Sequence, residues 1–84
     1  RDIYKVGHTD RDPEERAREL SRVTSTPTPF LVVQAWAVSR GYEAEQAAHA
    51  ALDGYRVDDR REFFRTDYAV LREALEKAIG PWIV

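Results

Sequence analysis

"DIYKVGHTDRDPEERARELS", residues Asp2–Ser21, carries the first decision about the fold. Residues 3–7 alternate in polarity and are rich in β-formers, which predicts a strand from Ile3 to Gly7, ended by the glycine and the polar turn after it. A helix follows. Asp12 suits an N-cap, Pro13 a first helical position, and Glu15, three residues after Asp12, completes the spacing of a capping box. Ala17 and Leu20 mark the stripe to be buried, with Val23 just beyond and Arg16 beside it.

Beyond this unit, "STPTP" at 25–29 carries two prolines that forbid helix continuation and favour extended geometry. The run "FLVVQAWAV" at 30–38 is apolar enough to predict a strand covered on both faces, central or nearly so in its sheet, with Trp36 in the core. Alanine content makes "GYEAEQAAHAALDGY" at 41–55 a helix, with Ala44, Ala47, Ala48, Ala51 and Tyr55 towards the core and Gly54 as its stop. Glu45 and His49, four apart, share one flank of it. "RVDDRREFFRT" at 56–66 reads as a loop with a short extended stretch at Glu62–Arg65, Phe63 and Phe64 serving as core plugs. Asp67 then caps a last helix that buries Tyr68, Leu71, Leu75 and Ile79 and ends at Gly80 and Pro81.

This order predicts an α/β (α+β) fold, a small antiparallel sheet flanked by three helices, as a single domain over residues 1–84. A two-stranded sheet is marginal on its own. A missing N-terminal strand is therefore expected, the domain being N-terminally truncated or part of a larger protein, with the strand edge so exposed covered by other residues or by a second chain. The 84 residues leave room for one compact domain with a thin core.

The formal net charge of -2 argues against a generic polyanion binder. Of 13 basic residues, however, only Lys5 and Lys77 are lysines, and arginine is the side chain suited to bidentate phosphate contacts. The absence of cysteine excludes disulfides, thiolate metal sites and a cysteine nucleophile. No apolar run spans a bilayer, so a cytoplasmic protein without membrane partners is expected. Nor is there a glycine-rich phosphate loop, a Ser-His-Asp set or a helix-turn-helix signature.

Four segments, "YKVGHT", "RDPEERARELS", "EAEQAAHAAL" and "YRVDDRREFF", occur in an order and spacing that resembles the GIY-YIG nuclease superfamily, in particular its phage and bacterial branch described as a DNA-binding domain. The resemblance covers roughly residues 3–64. It implies a DNA-acting domain whose active members hydrolyse phosphodiester bonds with one divalent ion, Mg²⁺ or Mn²⁺. Tyr4 stands at the tyrosine of the second half-motif, Gly7 at its glycine, Arg16 at the phosphate-stabilising arginine and Glu45 at the metal-binding glutamate. Lys5, Gly7, Arg11, Arg56, Arg60 and Arg61 are the implied DNA contacts. Two features depart from the pattern: the first half-motif strand is absent, and Leu20 stands where many active nucleases place a histidine or tyrosine. His8 and His49 are the candidates for proton transfer in its place.

Each residue also has a plainer reading. Tyr4 is then a strand tyrosine with a wet hydroxyl, Arg16 covers the helix stripe with its stem, Glu45 and His49 form an i,i+4 pair, and Asp58, Asp59 and Glu62 neutralise the distal arginines. Glu62 has a further reading, facing the site. The corresponding alternatives in function are a non-catalytic DNA-binding module and a protein-interaction accessory domain. Oligomeric state and the choice of DNA over RNA stay open.

Overall fold

The strand read from Ile3 forms as Asp2–Lys5 (β1) in the computed structural model, which describes residues 2–23, 30–57 and 62–84. Three helices follow in order, Pro13–Val23 (α1), Gly41–Ala51 (α2) and Tyr68–Ile79 (α3), with a second strand, Phe63–Thr66 (β2), before α3. β1 and β2 pair antiparallel in the register Asp2↔Thr66, Ile3↔Arg65, Tyr4↔Phe64 and Lys5↔Phe63. The pairing runs one step past β1, where the Val6 amide donates to the Glu62 carbonyl at 3.0 Å. Helices beside a small antiparallel sheet are the α+β architecture expected.

The core lies where α2 and α3 meet behind β2. Ala44, Ala48 and Leu52 face Leu71, Leu75 and Ile79, and Phe64 is fully buried among them. The small alanines let the two helices approach closely, while Leu52 and Phe64 supply the volume that excludes water. Tyr4, Val6, Trp36, Val38, Tyr68 and Trp82 pack around this nucleus.

The apolar run at 30–38 is not the central strand that its composition predicts. Only Val38 makes a bridge, to Ile83, and Leu31 and Val33 are 80% and 59% exposed. The reason lies in β2, which has both edges occupied: β1 on one side and, on the other, the Arg56↔Phe64 bridge with Val57 N–H donating to Phe63 O at 2.9 Å. β2 is therefore the interior strand, and residues 30–38 cover the fold from one side only. Phe30 sits 6.3 Å from Phe63, ring to ring, while Trp36 and Val38 reach the core. The chain terminus closes over the start of α2 through Ser39 N–H to Trp82 O, 2.8 Å, and Val84 N–H to Ala37 O, 3.1 Å.

Side-chain capping accounts for the start of α1. Asp12 caps α1 by accepting from the Glu15 amide at 3.2 Å, and Thr9 Oγ1 accepts from the Arg11 amide at 3.1 Å in the turn before it. Asp67 occupies the N-cap position of α3, without a side-chain capping bond. α2 ends at Ala51, earlier than the expected stop at Gly54, and the chain tightens into a 3₁₀ turn over Asp53–Tyr55. That change of pitch swings Tyr55 out of the stripe to 41% exposure, leaves Ala51 exposed, and puts Leu52 in the core. The proline-rich break at 25–29 lies outside the described residues, as does the distal-loop segment 58–61.

Candidate functional site

The passage from β1 to the following turn, Val6-Gly7-His8, crosses one face of α2. Residues 41, 45 and 49 succeed one another at four-residue spacing on that helix and therefore share a face. Each meets the passage. The His8 ring lies over Gly41, where a Cβ would stand 2.8 Å from His8 Cδ2. Glu45 Oε1 lies 2.6 Å from His8 Nδ1, and His49 Nε2 lies 2.7 Å from the Val6 carbonyl oxygen. The i,i+4 pairing of Glu45 with His49 that the sequence allows is thus replaced by two separate bonds to the strand exit.

Gly7 lies where three charged side chains converge. A Cβ there would be 3.6 Å from Glu62 Oε1, 3.7 Å from Glu45 Oε1 and 3.8 Å from Lys5 Nζ. Lys5 Nζ donates to Glu62 Oε1 at 3.0 Å, and its side chain is mostly covered. Glu45 is more enclosed than its partner, with side-chain exposures of 16% for Glu45 and 35% for His8. A carboxylate only accepts, so His8 Nδ1 donates to Glu45 and Nε2 is the ring nitrogen with a lone pair. This is the orienting logic of a carboxylate–imidazole pair.

The remaining candidates fall in different places. Alternation puts Tyr4 on the opposite face of β1 from Lys5, and its ring lies 6.0 Å from that of Tyr68. The Tyr4 hydroxyl donates to Asp2 Oδ2 at 3.3 Å. Partial burial pushes the Tyr4 phenol above its ordinary value, and the Asp2 carboxylate adds to the rise, so the protonated phenol is favoured.

Arg11 and Arg16 come together on one carboxylate. Arg11 grips Glu19 with both terminal nitrogens, at 2.7 and 2.6 Å, and Arg16 Nη1 reaches Glu19 Oε1 at 3.2 Å. Hydrogen bonding from Arg11, then from Arg16, holds the Glu19 carboxyl below its usual range, and Glu19 in turn raises Arg11. Arg56 clasps the back of the fold: Nε to Asp53 Oδ1 at 3.2 Å, Nη2 to His49 O at 3.3 Å, and the guanidinium 5.1 Å over the Phe64 ring. Arg60 and Arg61 lie outside the described residues.

Sequence reasoning passed over Gly41 and Glu19. The three-residue spacing of Glu19 from Arg16 is a visible signal, whereas a glycine opening a helix gives no hint that an imidazole rests on it.

The donor set bears on the divalent ion that the resemblance implies. Among the described residues no group of three or more His, Cys, Asp or Glu side chains forms a metal cage. Glu45 uses Oε1 towards His8, and a carboxylate has a second oxygen to offer. A hard ion such as Mg²⁺ keeps most of its shell as water and phosphate oxygen, so a single carboxylate is compatible with it.

Comparison with protein families matches residues 1–79 to the T5orf172 domain. The chain belongs to the T5orf172 domain family. Comparisons with curated proteins and with solved structures find no match. The family match spans β1, the three helices and β2, and so includes every residue of the Val6–His8 passage and its partners on α2. Among the described residues, no helix of this T5orf172 domain is long and apolar enough to cross a membrane.

Proposed function

We propose that this T5orf172 domain acts on DNA as a GIY-YIG-type endonuclease, hydrolysing phosphodiester bonds at the strand exit on α2. The observation that carries the reading is the 2.6 Å His8 Nδ1–Glu45 Oε1 pair beside the bare Cα of Gly7 and the Lys5 ammonium. Glu45 fixes the His8 ring so that Nε2 takes the proton of an attacking water. Gly7 keeps the main chain open to close approach by a phosphate, and Lys5, held by Glu62, supplies positive charge to its oxygens. Arg16 is the further candidate cation, and it would have to leave Glu19 to reach the phosphate. Glu45 is the residue that would hold a Mg²⁺ or Mn²⁺ ion, which when bound supplies Lewis-acid polarisation of the phosphate.

A second reading, a DNA-binding module without turnover, draws on a specific observation. Tyr4 is hydrogen-bonded to Asp2 with its phenol pushed up, and Arg16 is engaged by Glu19, so both motif residues are committed elsewhere in this state.

Incubating a labelled duplex with Mg²⁺, Mn²⁺ or EDTA, alongside binding at low and moderate salt, separates the two. Ion-dependent cleavage is the expected result; salt-sensitive binding without cleavage favours the module, and neither binding nor cleavage removes both.

A further inference from the structure

His49 has a place that differs from that of His8. Its Nε2 faces the carbonyl oxygen of Val6 at 2.7 Å, and a carbonyl only accepts, so Nε2 carries a proton and donates it. The ring packs on Phe64 at 5.4 Å between centroids, and the backbone carbonyl of His49 is itself held by Arg56. A main-chain carbonyl cannot store or return a proton, so this nitrogen is not part of a relay. Val6 is the residue from which Gly7 and His8 depart.

We infer that His49 is a positioning residue: its Nε2–H pins the Val6 carbonyl to α2 and so sets the backbone from which the His8 ring meets Gly41 and Glu45. Glu45 holds the side chain of the passage and His49 its main chain, four residues apart on one helix. With His49 Nε2 committed to Val6, His8 is the proton-transfer candidate that remains. The turnover part of this inference rests on the nuclease reading; the structural part does not.

The test uses His49→Gln, whose amide nitrogen reaches about as far as Nε2, and His49→Leu, which fills the space without a donor. Expected for His49→Leu is a fall in kcat of about 10- to 100-fold with little change in KM, the scale of losing an orienting bond behind a functional group. His49→Gln recovers most of it. Two-dimensional ¹H–¹⁵N spectra give the readout that needs no turnover: the wild-type His49 signal is that of an Nε2-protonated ring, and the Gly7 and His8 amides shift in His49→Leu but stay near wild type in His49→Gln.

A His49→Gln variant as slow as His49→Leu with unshifted amides would make His49 a proton-transfer group and overturn the inference. Unmoved Gly7 and His8 amides in His49→Leu would overturn it as well, whether or not the wild type cuts DNA. If the wild type does not cut, the amide shifts and ring signal decide positioning by themselves, while the nuclease reading fails separately. Should His49→Leu not fold, His49→Asn, whose shorter amide misses Val6, takes its place.

Discussion

The imidazole of His8 rests on the bare Cα of Gly41, where a Cβ would stand 2.8 Å from Cδ2 and 3.2 Å from Cγ. Real Cβ atoms do not approach so closely, so Gly41→Ala must move the ring and with it the 2.6 Å bond to Glu45. Alanine is otherwise favoured over glycine in a helix by about 1 kcal/mol. The expected outcome is a domain that stays folded by circular dichroism while its His8 ring signals shift and any nicking activity falls. Gly54 is the control. Nothing lies within 4 Å of a Cβ there, so Gly54→Ala is expected to leave function alone and raise stability by roughly 0.4–1 kcal/mol.

Gly7 tests clearance rather than backbone conformation. Its would-be Cβ meets Glu62, Glu45 and Lys5 at 3.6–3.8 Å, which is ordinary contact. Gly7→Ala should therefore fold with an unfolding midpoint close to wild type. Gly7→Leu puts an apolar branch among three charged groups and should lower DNA affinity or turnover while the far-ultraviolet spectrum persists. Equal behaviour of the two variants in a binding assay would argue that no phosphate approaches here.

Glu19 gives a pH-dependent prediction. Its folded pKa is lowered from the ordinary 4.5 by Arg11 and Arg16. The ion pair therefore adds to stability above about 4.5 and loses that contribution as the pH falls through the lowered value. Glu19→Gln removes it at all pH values. The difference in thermal midpoint between wild type and Glu19→Gln should be present at neutral pH and close in acid; it should also be small, since these groups are exposed. In a binding assay at neutral pH, Glu19→Gln frees both arginines and should tighten DNA binding.

Phe64 and Leu52 tie the site to the core. Both are fully buried, one on β2 beneath the His49 ring and one at the end of α2. Phe64→Ala is expected to cost about 3–5 kcal/mol and Leu52→Ala about 2–5 kcal/mol. Against the roughly 5–15 kcal/mol typical of folded domains, either loss removes a large share of the stability. Urea unfolding curves measure both directly.

Much of this fold was legible in local chemistry. The alternation at Ile3–Lys5, the Asp12-Pro13 cap and the Leu71, Leu75, Ile79 stripe each name an element without reference to the rest of the chain. Residues 30–38 misled because continuous hydrophobicity reports burial and not pairing. The ladder position they seemed made for is taken by Phe63–Thr66, whose two edges are filled by β1 and Arg56–Val57. Within the site, the sequence motif names Tyr4, Gly7, Arg16 and Glu45 and leaves His8 and His49 as equal candidates for proton transfer, but spacing along one chain cannot say which side chains meet across the fold. Glu45 and His49 look like a helix pair until β1 is docked, when each turns to a different residue of the same passage. Tyr4 shows the converse: its motif position is clear, while its partners, Asp2 and Tyr68, depend on which face of β1 the core selects.

The proposed function rests on His8 and Glu45 working as a pair at the strand exit. Nicking of supercoiled plasmid in Mg²⁺ or Mn²⁺, comparing wild type with Glu45→Gln and His8→Asn, tests it most directly. Wild type is expected to open the plasmid and each variant to be slower by about 10²-fold or more, the usual scale for a lost general base, while both still fold and bind DNA. A wild type that binds the plasmid and leaves it supercoiled, or a Glu45→Gln variant that nicks at the wild-type rate, would contradict it.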